Sequence, residues 1–139
     1  MAVSVDVQND IALVTMDDGK ANAVNFALMA ALNAALDEAE AKGKVIVLSG
    51  REGRASGGFD LKALPTFSPE DVGRLLDEGG KLIARLYGGP LPLVVACTGH
   101  AIAMGALLAL TGDTRVGAHG DFKIGLNEVM IGMTMHHAG

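Results

Sequence analysis

Residues 91–110, LPLVVACTGHAIAMGALLAL, decide how this chain folds. Read as one helix, this nearly unbroken apolar run is long enough to cross a bilayer. Its details argue otherwise. Pro90 and Pro92 bracket the start, Gly99-His100 interrupts the middle, and the β-branched pair Val94-Val95 suits a buried strand. Proline removes a backbone donor, and hydrocarbon offers no water to repair the gap. Strand, glycine turn and helix in succession explain the same residues without that cost. No membrane-spanning segment is expected.

The same pattern recurs upstream. KVIVLSG, residues 44–50, reads as a short buried strand, and ASGGFDLKAL, residues 55–64, follows it with the adjacent glycines Gly57 and Gly58. Glycine admits φ > 0 and lets another backbone or a ligand come close, so the pair marks a tight turn or exposed main-chain donors. At the start, VSVDVQNDIALVTM (3–16) reads as a hairpin turning at Asn9-Asp10. From Asn22 to Ala41, helical spacing of Ala27, Leu28, Ala31, Leu32, Ala35 and Leu36 predicts a helix, capped by Asn22 or Asn25 and stopped by Gly43. Ser68-Pro69-Glu70 opens a second helix running to about Leu86, and a third spans about Met104 to Leu110. A strand around Thr114–Val116 and the segment FKIGLNEVMIG (122–132) follow.

Composition narrows the function. The chain has 139 residues, 50% of them hydrophobic and 19% charged, which suits one globular domain with a real core. The net charge of −5, with 11 scattered Lys and Arg, argues against a nucleic-acid partner. A single cysteine, Cys97, cannot form an internal disulfide, and the N-terminus has no leader pattern, so a reducing, cytoplasmic location is expected. Neither glycine turn carries the Lys-Ser or Lys-Thr of a phosphate-cradling loop, and no Gly-x-Gly-x-x-Gly follows a strand. His136 and His137 stand side by side without further ligands at a recognisable spacing, so no metal site is expected.

Alternating strands and helices imply an α/β fold with parallel pairing and ligands at the carboxyl ends of strands. Both glycine turns stand at such ends. If the strands at 45–48 and 93–96 are neighbours, the turns converge, and two main-chain N–H groups aimed at one point can hold a developing negative charge.

SGGFDLKAL and GHAIAMGALLAL, in this order and followed by FKIGLNEVMIGM, resemble the crotonase (enoyl-CoA hydratase/isomerase) superfamily over essentially the whole of 1–139. The resemblance implies a crotonase-like spiral of ββα repeats, here its N-terminal core portion, with the C-terminal helical region absent. It implies an acyl-CoA thioester as ligand and an oxyanion hole for its enolate, formed by the backbone N–H groups of Phe59 and Met104. It further implies that Phe59, Asp60, Leu61 and Lys62 line the thioester path, and that Lys20, Ala21, Asn22 and Ala23 approach the adenine end. Coenzyme A enters as part of the substrate, with no other cofactor, and the full-length assembly is expected to be a homotrimer or a dimer of trimers.

The chemistry also needs a group that moves protons. Two positions commonly carry glutamate in the family; here one is Glu128 and the other is Leu107. A carboxylate among Ile124, Leu126, Val129, Met130 and Ile131 has its charged form disfavoured by desolvation, which suits general acid–base work. Glu128 is the expected catalytic base; Leu107 fits a single-base double-bond isomerisation, while the resemblance makes enoyl-CoA hydration the commoner activity, with a water held by Glu128 and backbone groups, and both remain open. The alternative is a non-catalytic acyl-CoA-binding or scaffold protein with a degenerate site. Asp60 reads as a structural carboxylate, Cys97 as a small packed hydrophobe, and His100 as a turn residue beside the second donor. Leu107, Leu108, Met130 and Met133 are expected to lie uncovered in a chain of this length.

Overall fold

The structure, a computed structural model, describes residues 2–134. The chain opens with the antiparallel hairpin β1 (Val3–Gln8) and β2 (Ile11–Met16), turning at Asn9 and Asp10, both with positive φ. Helix α1 (Phe26–Lys42) follows. The Asn25 side chain caps it by accepting from the Leu28 amide, and Gly43 closes its end. The expected start at Asn22 is corrected: Asn22 has φ 49°, outside the helical region, and lies buried ahead of the helix.

Two ββα units come next. The first is β3 (Val45–Ser49), β4 (Gly53–Ser56) and α2 (Pro69–Tyr87), whose Ser68 cap accepts from the Asp71 amide ahead of Pro69. The second is β5 (Leu93–Cys97), β6 (Gly99–Ile102) and α3 (Met104–Leu110). Strands β7 (Thr114–Gly117) and β8 (Ile124–Gly125) begin a further repeat. In each of these pairs the first strand joins one sheet and the second joins another. The five-stranded sheet runs β1-β2-β3-β5-β7 and the three-stranded sheet β4-β6-β8, parallel throughout except for the opening hairpin. The parallel pairing expected from the sequence is divided between two sheets, and His100 lies in strand β6 rather than in a turn.

The expected pairing of the 45–48 and 93–96 strands is present: β3 and β5 are parallel neighbours, with Ile46 opposite Leu93 and Leu48 opposite Val95. Alternation along β2, β3 and β5 sends Val14, Leu48 and Val95 inward, where they meet Met29 and Leu32 of α1, Leu75 and Leu82 of α2, and Met104 of α3. A smaller cluster of short side chains, Ala55, Cys97 and Ala101, joins β4, β5 and β6. Leu107 and Leu108 belong to the buried core, correcting the expectation that they lie uncovered; Met130 and Met133 are exposed as expected. No helix among the described residues is long and apolar enough to cross a membrane.

Candidate active site

The carboxyl ends of β4 and β6 bring the two glycine turns into contact. A methyl group placed on Gly58, whose φ is +84°, would lie 2.9 Å from the Ile102 carbonyl oxygen and 3.5 Å from the Met104 nitrogen. Only a residue without Cβ fits there. The peptide planes can be oriented from their hydrogen bonds. The Gly58 carbonyl accepts from the Val24 amide at 2.7 Å, so the trans peptide turns the Phe59 N–H to the opposite side. The Ala103 carbonyl accepts from Ala106 at 2.8 Å and Leu107 at 3.1 Å, so the Met104 N–H points out of the first turn of α3. Ala103 holds φ 52° and ψ −122°, a region that costs a non-glycine residue about 1 kcal/mol or more. Its own amide donates to the Gly125 carbonyl at 2.9 Å, which ties the turn to β8.

Three residues beyond Gly125 stands Glu128. Its carbonyl accepts from Ile131 and Met133, closing a short 3-10 turn at Val129–Ile131, and its side chain is buried at 7% exposure. The apolar surroundings expected for it are corrected in part: Ile124, Leu126, Val129 and Met130 are largely exposed, whereas Ile131 lines the same cavity as Glu128. Glu128 itself is buried. It lines a cavity of about 320 Å³ together with Phe59, Met104, Leu61, Leu76 and Asn127. Glu128 Oε2 and Asn127 Oδ1 are buried without a hydrogen-bond partner among the described residues. A buried carboxylate oxygen lacking a donor is costly and marks a place where a ligand atom can bind. The three residues expected to carry the chemistry, Phe59, Met104 and Glu128, therefore share one cavity. Asn127, Leu76 and the strained Ala103 were not singled out from the sequence; for Asn127 its place beside Glu128 was the available signal.

The remaining expected residues separate. Leu61 lines the cavity, and the Asp60 carboxylate accepts from the Lys62 amide at 3.1 Å, the structural role read for it. The 20–23 stretch runs beside the same turn: Ala21 accepts from Gly57, and Val24 bridges Phe59. Asn22 is fully buried. Its Nδ2 donates to the carbonyls of Met16, Arg54 and Ala55, and its Oδ1 accepts from Asp18. That side chain is committed to joining three segments and has none left for a ligand. Lys20 and Ala23 lie at or near the surface, with their amides held by Asp18. Burial pushes the Asp18 carboxyl up, but amide hydrogen bonds from Asn22, Lys20 and Ala23 and the nearby Arg51 outweigh it and hold it below 3.8.

Leu107 is absent from this cavity. It lines a second, apolar one with Gly80, Ile83, Ala84, Tyr87, Leu110 and Thr111. Cys97 is a buried free thiol, as read. The His136-His137 pair lies outside the described residues, and among those described no group of three or more His, Cys, Asp or Glu converges.

Comparison with known proteins agrees with this architecture. The chain is 30% identical over 141 residues to a probable enoyl-CoA hydratase of Bacillus subtilis, covering 99% of this chain and 54% of that protein. It superposes with a TM-score of 0.94 and 46% identity on an enoyl-CoA hydratase/isomerase family protein of Pseudomonas syringae, over 99% of this chain and 60% of that one. An enoyl-CoA isomerase structure from Mycobacterium tuberculosis gives a TM-score of 0.90 and 47% identity, over 96% and 58% of the two chains. The chain thus spans about half the length of the curated relatives it matches. The profile of the enoyl-CoA hydratase/isomerase family matches residues 6–139, and the chain belongs to that family.

Proposed function

We propose that this chain forms the acyl-CoA-binding and catalytic core of an enoyl-CoA hydratase/isomerase-type enzyme. The observation that carries the reading is the convergence of Phe59, Met104 and a buried, unpartnered Glu128 carboxylate oxygen on one cavity. In this reading the thioester oxygen lies between the N–H groups of Phe59 and Met104. Negative charge that develops there as the α-proton leaves is stabilised by fixed donors. Glu128 takes the proton from C2 of a 3-enoyl-CoA, the electron pair delocalises onto the thioester oxygen and C4, and the proton returns at C4. The double bond moves to position 2 with no net gain or loss of atoms.

Leucine at 107 favours this one-base scheme, because adding water across a 2-enoyl-CoA is easiest with a second carboxylate to hold the water. Coenzyme A arrives on the substrate, and the two amides supply the electrophilic assistance a metal would otherwise give, so no further cofactor is invoked. We place the protein in the cytoplasm on the strength of its free Cys97 thiol, and its full-length assembly as a homotrimer or dimer of trimers on the family resemblance.

Leu107 also favours the second reading, a non-catalytic acyl-CoA-binding or scaffold protein. One experiment separates the two. The full-length protein is assayed with 3-enoyl-CoA and 2-enoyl-CoA, with and without Glu128→Gln. Isomerisation exceeding hydration, and falling about 10²-fold or more in the variant, is the expected result. A variant as active as the parent removes Glu128 from the mechanism, and no turnover of either substrate leaves the binding-protein reading.

A further inference from the structure

The cavity holding Phe59, Met104 and Glu128 is bounded on one side by α2, and the second apolar cavity begins about one turn further along the same helix. Leu76 lines the first; Gly80, Ile83, Ala84 and Tyr87 line the second, of about 380 Å³. Positions 76, 80, 83 and 87 share one face of an α-helix. On α3 the same progression occurs, with Met104 lining the first cavity and Leu107, three residues on, lining the second. At 1.5 Å per residue, Leu76 and Ile83 lie roughly 10 Å apart along the helix axis. That is a distance several methylene groups can span.

On α2, Gly79 stands between Leu76 of the first cavity and Gly80 of the second, and two side chains plug the space over it. A methyl group on Gly79 would lie 2.7 Å from the Cζ of Phe59 and 3.3 Å from the Cε of Met104. The ring tip and the thioether methyl therefore meet at Gly79. Adjacent glycines inside a 19-residue helix weaken it, and at Gly79 the close approach of these two side chains accounts for the choice. The two halves of the plug differ. Phe59 is a rigid ring, whereas methionine is unbranched, has several rotatable bonds and repacks readily.

We propose that the Met104 side chain, lying with Phe59 against Gly79, is a chain-length gate between the acyl cavity and the second cavity. Short acyl chains end in front of it, and long apolar chains displace the thioether and continue past Gly79-Gly80 toward Ile83 and Leu107. The inference rests on the reading that a thioester sits at the Phe59 and Met104 amides; from there the second cavity is the apolar continuation of the first. It assigns Met104 a specificity role for its side chain in addition to the donor role of its backbone.

The test measures dissociation constants of butyryl-CoA and dodecanoyl-CoA by calorimetry on the full-length protein. Saturated acyl chains bind without turning over, so the readout is independent of activity. Met104→Ala is expected to tighten dodecanoyl-CoA relative to butyryl-CoA by roughly tenfold, the worth of about two newly buried methylenes. Ala84→Phe, a change at an exposed position of α2 that fills the second cavity, is expected to shift the same ratio the other way by a similar factor. If butyryl-CoA binds and the ratio stays within twofold in both variants, the gate is refuted while the functional reading stands. If neither thioester binds the parent protein, the functional reading fails and the gate with it.

Discussion

Gly105 shows how little space separates the parts of the site. A methyl group there would lie 2.4 Å from the Ser56 carbonyl oxygen and 2.8 Å from Ser56 Cβ, so the first turn of α3 sits directly on the end of β4. Backbone cannot swing aside as a flexible side chain can. Gly105→Ala is expected to cost about 2 kcal/mol or more, seen as a lower midpoint in urea or thermal unfolding. Gly73 on α2 has nothing within 4 Å of the same position, and Gly73→Ala is expected to stabilise by about 0.5–1 kcal/mol. Equal effects at the two sites would contradict the close packing described here. At this scale the motif positions were informative about placement, since Phe59, Met104 and Glu128 line one cavity. Asn22 was not legible, because an asparagine ahead of a helix reads as a cap. Its partners at Met16, Arg54 and Ala55 come together only through tertiary structure.

Among the elements, β4 and β6 escaped the sequence reading for a definite reason. Each is four residues long, begins with glycine and lacks the β-branched run that announces β3 and β5, so both were read as turns. Their pairing partners lie in a second sheet whose existence no local pattern signals. The longer elements α1, α2, β3 and β5 were legible because their periodicity and caps are local. The loop between β2 and α1 is held by Asp18, which accepts from the amides of Lys20 and Asn22 at 2.7 and 2.9 Å. Its folded carboxyl lies below the ordinary 3.8. The stabilisation it gives is therefore fully present above that value and is lost as pH falls through the lower folded one. The stability difference between the parent and Asp18→Asn is expected to be constant from neutral pH down to about pH 5 and to shrink progressively below pH 4. A difference that grows on acidification would reverse the sign and exclude the charged carboxylate as the loop's anchor.

At the scale of the whole molecule, the ββα repeat delivers the site. Each repeat sends its first strand to one sheet and its second to the other, so successive second strands end side by side and their turns converge. The turns shaped by the positive φ of Gly58 and Ala103 bring Phe59 and Met104, from two repeats, to the wall of one cavity, and the next repeat adds Glu128. The central claim is that the backbone amides of Phe59 and Met104 form the electrophilic half of the site. The most direct measurement is a crystal structure of the full-length protein with a bound, non-reacting acyl-CoA. The account predicts the thioester oxygen roughly 2.7–3.1 Å from both the Phe59 and the Met104 nitrogen, with a Glu128 carboxylate oxygen facing the α-carbon. A thioester oxygen turned away from either amide, or one facing the Gly58 or Ala103 carbonyl, would contradict it.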